Sequence, residues 1–185
     1  MLVLASSSPR RREILTAAGF EFVVRAPHIP EERASGESPV EYVRRLAHEK
    51  ALAVPMNPGE TILAADTTVV IGDELLEKPR DAADAARMLR LLSGRVHEVI
   101  TGISLRSESS TLVDAEVTRV RFVPLSDEEI AAYAASTEPM GKAGAYGIQG
   151  PASKFVDRIE GCYFNVVGLP IALVYRHLKA IGAIP

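Results

Sequence analysis

Arg10, Arg11 and Arg12 directly follow Ser6-Ser7-Ser8-Pro9 and precede Glu13-Ile14-Leu15. Serine before proline starts a helix and Gly19 after Ala17-Ala18 stops one, so the arginines fall in a first helical turn. That is the positive end of the helix macrodipole, where cations cost stability unless an anion answers them. First-turn N–H groups, serine hydroxyls and guanidinium groups together make a phosphate site; the alternative is a solvated basic turn. Ser6, Arg10 and Arg11 are the candidate phosphate ligands.

Other residues break local rules in ways that could also be chemical. Lys50 falls within the apolar stripe Val43, Leu46, Ala47, Val54 of a predicted helix, so it must snorkel outward or meet an anion. In either case methionine at position 50 should hold or raise stability. Asp66 interrupts the β-branched run Thr61–Ile71 and is a paired group, a turn former, a metal ligand or a proton acceptor at a strand end. Glu31 and Glu32 lie in a proline-flanked loop. They are either solvated or supply the second carboxylate with which Asp66 would hold a hard divalent cation. Lys78, before Pro79, carries little signal alone, since exposed lysines are common. Residues 141–150 contain four glycines and match neither the dinucleotide-binding nor the GxxxxGK[ST] spacing. They form a tight turn or let backbone approach a base closely, and Gln149 could read a base edge or cap the loop. His97 and Cys162 read as packing residues.

These side chains need a scaffold, and the pattern predicts one of mixed α and β type. Strands are expected over Leu2–Ala5, Phe20–Val24, Thr61–Ile71 with a break at Asp66, Glu74–Leu76, Arg95–Arg106, Thr111–Val123 and Phe164–Val167. Helices are expected from Pro9, from Ser38 to Val54, from Asp81 to Leu92, from Ser126, and from Leu169-Pro170 to Gly182; Ser38 and Ser126 carry capping-box patterns. The result is an α/β fold with a mixed twisted sheet flanked by helices, read as one domain over residues 1–185.

Composition narrows the function. With 185 residues, 47% hydrophobic and 24% charged, the chain can bury a substantial core. A net charge of -3 offers no global field for a nucleic-acid backbone, though it admits a small anionic ligand. One cysteine excludes an internal disulfide and a cysteine metal cluster, and fits a reduced cytoplasmic setting. Met1-Leu2-Val3-Leu4-Ala5 is too short for a signal-peptide core, and no apolar run has the length of a membrane span.

The ordered set resembles the Maf family of nucleoside triphosphate pyrophosphatases. The resemblance is carried by Leu4-Ala5-Ser6-Ser7-Ser8-Pro9-Arg10-Arg11, Glu49-Lys50-Ala51, Ala64-Ala65-Asp66-Thr67, Glu77-Lys78-Pro79 and Leu92-Ser93-Gly94-Arg95-Val96-His97. It continues through Lys142-Ala143-Gly144-Ala145-Tyr146-Gly147-Ile148-Gln149-Gly150 and Val167-Gly168-Leu169-Pro170. The glycine-rich loop is similar to that of the branch acting on dTTP and UTP. The stretch His28-Ile29-Pro30-Glu31 departs from relatives, which often have an aspartate before the glutamate; the family's glutamate is placed at Glu31, with Glu32 the alternative. The resemblance implies two lobes with a central cleft, a homodimer, and Mg²⁺ or Mn²⁺ held by Glu31 and Asp66. It implies phosphate binding by Ser6, Arg10 and Arg11, and neutralisation of departing pyrophosphate by Lys50 and Lys78. Asp66 would activate water, and Thr67 and Gln149, with Arg10, would select the base. The rival reading is a nucleotide-binding regulator of septum formation with little or no turnover.

Overall fold

The computed structural model describes residues 1–184. Its elements follow the order β1 (Leu2–Ala5), α1 (Pro9–Ala17), β2 (Phe22–Val24), α2 (Pro39–Leu52), β3 (Thr61–Ile71), β4 (Glu74–Leu76), α3 (Ala82–Leu92), β5 (Val96–Arg106), β6 (Thr111–Phe122), α4 (Asp127–Ala134), β7 (Val156–Glu160), α5 (Tyr163–Val167) and α6 (Ile171–Ala180). Two 3₁₀ turns, Ala143–Ala145 and Pro151–Phe155, lie within the glycine-rich region. The seven strands form a mixed sheet of order β2-β1-β3-β5-β6-β7, with β4 on β3. The β1 strand runs parallel to β2 and β3, whereas β3/β4 and β6/β7 are antiparallel. No helix among the described residues is long and apolar enough to cross a membrane.

Local chemistry explains the element ends. Ser38 and Ser126 each accept a hydrogen bond from the N3 backbone N–H, and the N3 glutamate carboxylate accepts one from the serine N–H, as in the capping boxes expected from sequence. Asp81 accepts from Asp84 N at 2.8 Å and starts α3. Two elements differ from expectation. Residues 164–167 belong to helix α5, not a strand: buried Asn165 turns its amide onto Val99 O (2.9 Å) and Thr118 Oγ1 (3.0 Å), bonds that β-branched neighbours gave no hint of. The seventh strand is instead β7, an edge strand whose charged residues Asp157, Arg158 and Glu160 mask its pattern.

The chain divides into two compact units. Unit 1 comprises Met1–Thr67, Thr101–Glu116 and the segment from Gly168 onward. Its parallel strands β1 and β3 are buried on both faces, as inner parallel strands tend to be, whereas β2 is partly exposed. One face joins Val3 and Ala5 of β1 and Ile62 and Ala64 of β3 to Ala51 of α2 and to Val54 just beyond it. Helix α2 lies very close to β5: a Cβ added to Gly102 would stand 2.3 Å from Val43 O, so only glycine admits this approach.

Unit 2 comprises Thr68–Ile100 and Val117–Val167. There α3 packs against α4, and His97, Phe122, Tyr146, Phe155 and Tyr133 form a chain of edge-to-face and tilted ring contacts. His97 Nε2 and Tyr146 Oη are 2.8 Å apart. Burial pushes the imidazole from 6.5 down to about 4 and the phenol well above its ordinary value. His97 Nδ1 meets no acceptor among the described residues, so charging the ring would bury an unanswered N–H. Above pH 6.5 the folded and unfolded states both hold the ring neutral. As pH falls toward 4 the unfolded chain takes the proton first, and stability drains away. The loss by pH 4.5 is roughly 2.5 kcal/mol, or about 5–10 °C in melting temperature. His97→Gln should flatten the difference in melting temperature between pH 7.5 and 4.5 by about that amount; an unchanged slope would show that His97 is not its source.

Candidate active site

Strand β1 ends at Ala5, opposite Ala64 of β3, and β4 pairs with β3 only from Val69. Ala65-Asp66-Thr67 therefore continue past the carboxyl end of β1, the place where α/β sheets hold ligands. Asp66 does not break the strand: β3 runs unbroken through it. The strand end that matters is that of β1.

Periodicity brings Asp66 to Lys50. Alternate residues of a strand share a face, so Asp66 lies on the face of Ile62 and Ala64, against which α2 packs. Lys50 is in the buried stripe of α2, and its Nζ donates to Asp66 Oδ1 at 2.5 Å. The same ammonium is 2.6 Å from Glu31 Oε1. Lys50 thus meets anions rather than snorkelling. Lys50 and Asp66 are each 8% exposed, so the pair is buried and depends on both partners. Methionine at 50 would strand the Asp66 carboxylate, which reverses the stability expected from the apolar stripe.

The loop carrying Glu31 is held by α2. Tyr42 Oη donates to Glu31 O at 3.3 Å, and Arg45 donates to Glu32 O (2.9 Å) and to both Glu37 carboxylate oxygens (2.7 and 2.8 Å). Arg45 also keeps the Glu37 carboxyl below the usual range. Of the two candidate glutamates, Glu31 brings its carboxylate to Lys50.

Arg11 is a hub. Its Nε donates to Gly168 O (2.9 Å), Nη1 to Ser6 Oγ (3.1 Å) and Ala65 O (2.8 Å), and Nη2 to Thr67 Oγ1 (3.1 Å). Four of its N–H groups go to protein acceptors, leaving about one for a ligand. Burial lowers the Arg11 pKa from its ordinary value, opposed by the Asp66 and Glu31 charges and reinforced by Arg10. Thr67 Oγ1 is also 2.9 Å from Thr101 Oγ1. Thr101 and the carbonyls of Ala65 and Gly168 were not read from sequence; a backbone acceptor carries no side-chain signal. Gly168, at φ 126, needs glycine's freedom to present that carbonyl.

At the start of α1, Ser8 makes no side-chain cap and the first turn holds no acidic residue. Ser6 Oγ instead accepts from Ser8 N at 3.2 Å. Half-buried Arg10 and exposed Arg12 flank Arg11.

Lys78 and Gln149 belong to unit 2. Lys78 is exposed just after β4, and Gly144 N donates to Glu77 O at 3.2 Å, so the glycine-rich loop is tied beside it. Gly144 is required by its φ of 69 and by the approach to Val69, whose Cγ2 would be 2.8 Å from an added Cβ, whereas the nearest atom to a Cβ on Gly150 is the movable end of the Glu138 side chain. Gly144 thus answers the loop's own packing. Gln149 is exposed in the turn that follows.

Glu31 and Asp66 suit a hard cation: two carboxylates converge on one point, which Mg²⁺ commonly uses together with substrate phosphates. Among the described residues no set of three or more histidine, cysteine or carboxylate groups gathers, so a ligand would have to complete the shell.

Carboxylates, an ammonium and guanidinium groups thus gather past the carboxyl end of β1 in an α/β protein, where such sheets hold ligands. The chain belongs to the Maf family: the model described as Maf-like protein matches residues 1–181. It is 53% identical to the dTTP/UTP pyrophosphatase of Koribacter versatilis, covering 99% of this chain and 95% of that one. The dTTP/UTP pyrophosphatase of Geobacter sulfurreducens is 53% identical, with 99% and 97% covered. That of Salmonella typhimurium is 51% identical, with 99% and 94% covered.

Proposed function

We propose that the protein is a nucleoside triphosphate pyrophosphatase that hydrolyses dTTP and UTP to the monophosphate and pyrophosphate. The observation that carries this reading is identity above 50%, over nearly the whole chain, to relatives named dTTP/UTP pyrophosphatase. The side chains of unit 1 support it. Arg10, Ser6 and the open first turn of α1 receive phosphate oxygens, with Arg11 holding Ser6 and Thr67 in place. Asp66 accepts a proton from water as the water oxygen bonds to the α phosphorus. The bond from the α phosphorus to the bridging oxygen breaks, and its electron pair leaves on pyrophosphate. Lys50 offsets that charge, and Lys78 is assigned the same role on resemblance. Glu31 and Asp66 would hold Mg²⁺ or Mn²⁺, which when bound supplies Lewis-acid stabilisation of the phosphoryl oxygens. A homodimer, on the resemblance, and a cytoplasmic setting, on the single cysteine, belong to the same proposal.

Base selection falls to Gln149, with Arg10; the Thr67 hydroxyl is already engaged by Arg11 and Thr101. A glutamine amide pairs with the O4 and N3–H edge that uracil and thymine share, and cytosine reverses that pattern. A mismatched base would leave polar groups unpaired in the complex, which disfavours its binding. Rates of pyrophosphate release are expected to be far higher for dTTP and UTP than for CTP, with purine triphosphates slower still. Equal efficiency on CTP or GTP would remove the pyrimidine assignment.

A further inference from the structure

The Lys50 ammonium sits where a cation shared by Glu31 and Asp66 would sit, 2.6 and 2.5 Å from their oxygens. We propose that Lys50 is a built-in competitor of the divalent metal, filling the carboxylate pair in the free protein and yielding it when triphosphate oxygens offer the ammonium another partner. The inference rests on the pyrophosphatase reading for the identity of metal and nucleotide.

Three observations carry it. First, an ammonium and a metal ion cannot share the same carboxylate oxygens without like charges in near contact. Second, charge balance opposes metal entry alone. Two carboxylates with Lys50 carry one net negative charge, so a divalent ion makes the cluster positive, beside an Arg11 already coupled to Asp66 and Glu31. A triphosphate restores the balance. Third, Lys50 cannot simply turn to water. Its side chain is about 10% exposed, and α2 is fixed against β5 by the contact of Gly102 with Val43 O. Metal and nucleotide should therefore strengthen each other's binding, reciprocally.

The test uses Mn²⁺ alone on the full chain, with free Mn²⁺ followed by electron paramagnetic resonance and stability by melting temperature. Lys50→Gln is expected to bind Mn²⁺ at least about tenfold more tightly than the unaltered protein. Adding Asp66→Asn should erase that gain. Metal-free Lys50→Gln should melt below the unaltered protein and recover when Mn²⁺ is added. If the metal-free variant is too weak to fold, Mn²⁺ should restore its circular dichroism, and failure to do so would overturn the proposal. Equal Mn²⁺ affinity in both proteins would also overturn it. Pyrophosphate release from dTTP by the unaltered protein, assayed on the same preparation, reports separately on the pyrophosphatase reading.

Discussion

Asp66→Asn is expected to lower the catalytic constant at least about a hundredfold, the low end for loss of a general base. The substitution keeps shape and one hydrogen-bonding oxygen for Lys50, and Lys50 keeps Glu31 at 2.6 Å. The fold should therefore survive, at a lower melting temperature because the buried pair loses one of its charges. What disappears is the negative charge needed to take a proton from water or to bind a cation. Circular dichroism and turnover measured on one preparation separate chemistry from folding. Near-normal turnover would remove Asp66 from its role.

Arg11→Lys is expected to damage the protein through its scaffold. The four hydrogen bonds of Arg11 reach β1's following loop, β3 and the Gly168 segment in a planar fan that an ammonium cannot reproduce. The loss should be about 3 kcal/mol, given that bonds to charged groups contribute roughly 1.5–3 kcal/mol each and lysine recovers some of them. In a chain of this size that corresponds to a fall of roughly 10 °C in melting temperature. The catalytic constant should fall with it, because Ser6 and Thr67 lose a common anchor. A variant with unchanged melting temperature and only a raised KM would instead make Arg11 a direct phosphate ligand.

Much of this arrangement was legible because it follows short-range rules. The Ser-Pro start of α1, the capping boxes of α2 and α4, and β3 over Thr61–Ile71 each depend on neighbouring residues. Lys50 in an apolar helical stripe and Asp66 in an apolar strand were both anomalies by periodicity, and the structure pairs them. Sequence left Lys50 free to snorkel because a pair sixteen residues apart depends on how α2 lies on β3. Arg11 is the opposite case. Its position suggested a phosphate ligand, yet its acceptors include backbone carbonyls brought from residues 65 and 168, which no side-chain pattern announces. β7 and α5 were exchanged for a related reason. The edge strand carries charges that hide its alternation, and the aromatic and β-branched residues of α5 flank an asparagine whose buried bonds are long-range.

The central claim is that water attacks the α phosphorus. Hydrolysis of dTTP in ¹⁸O-labelled water, with both products analysed by mass spectrometry, tests it most directly. One labelled oxygen in dTMP and unlabelled pyrophosphate are expected. Label in pyrophosphate, or release of orthophosphate with dTDP, would contradict it.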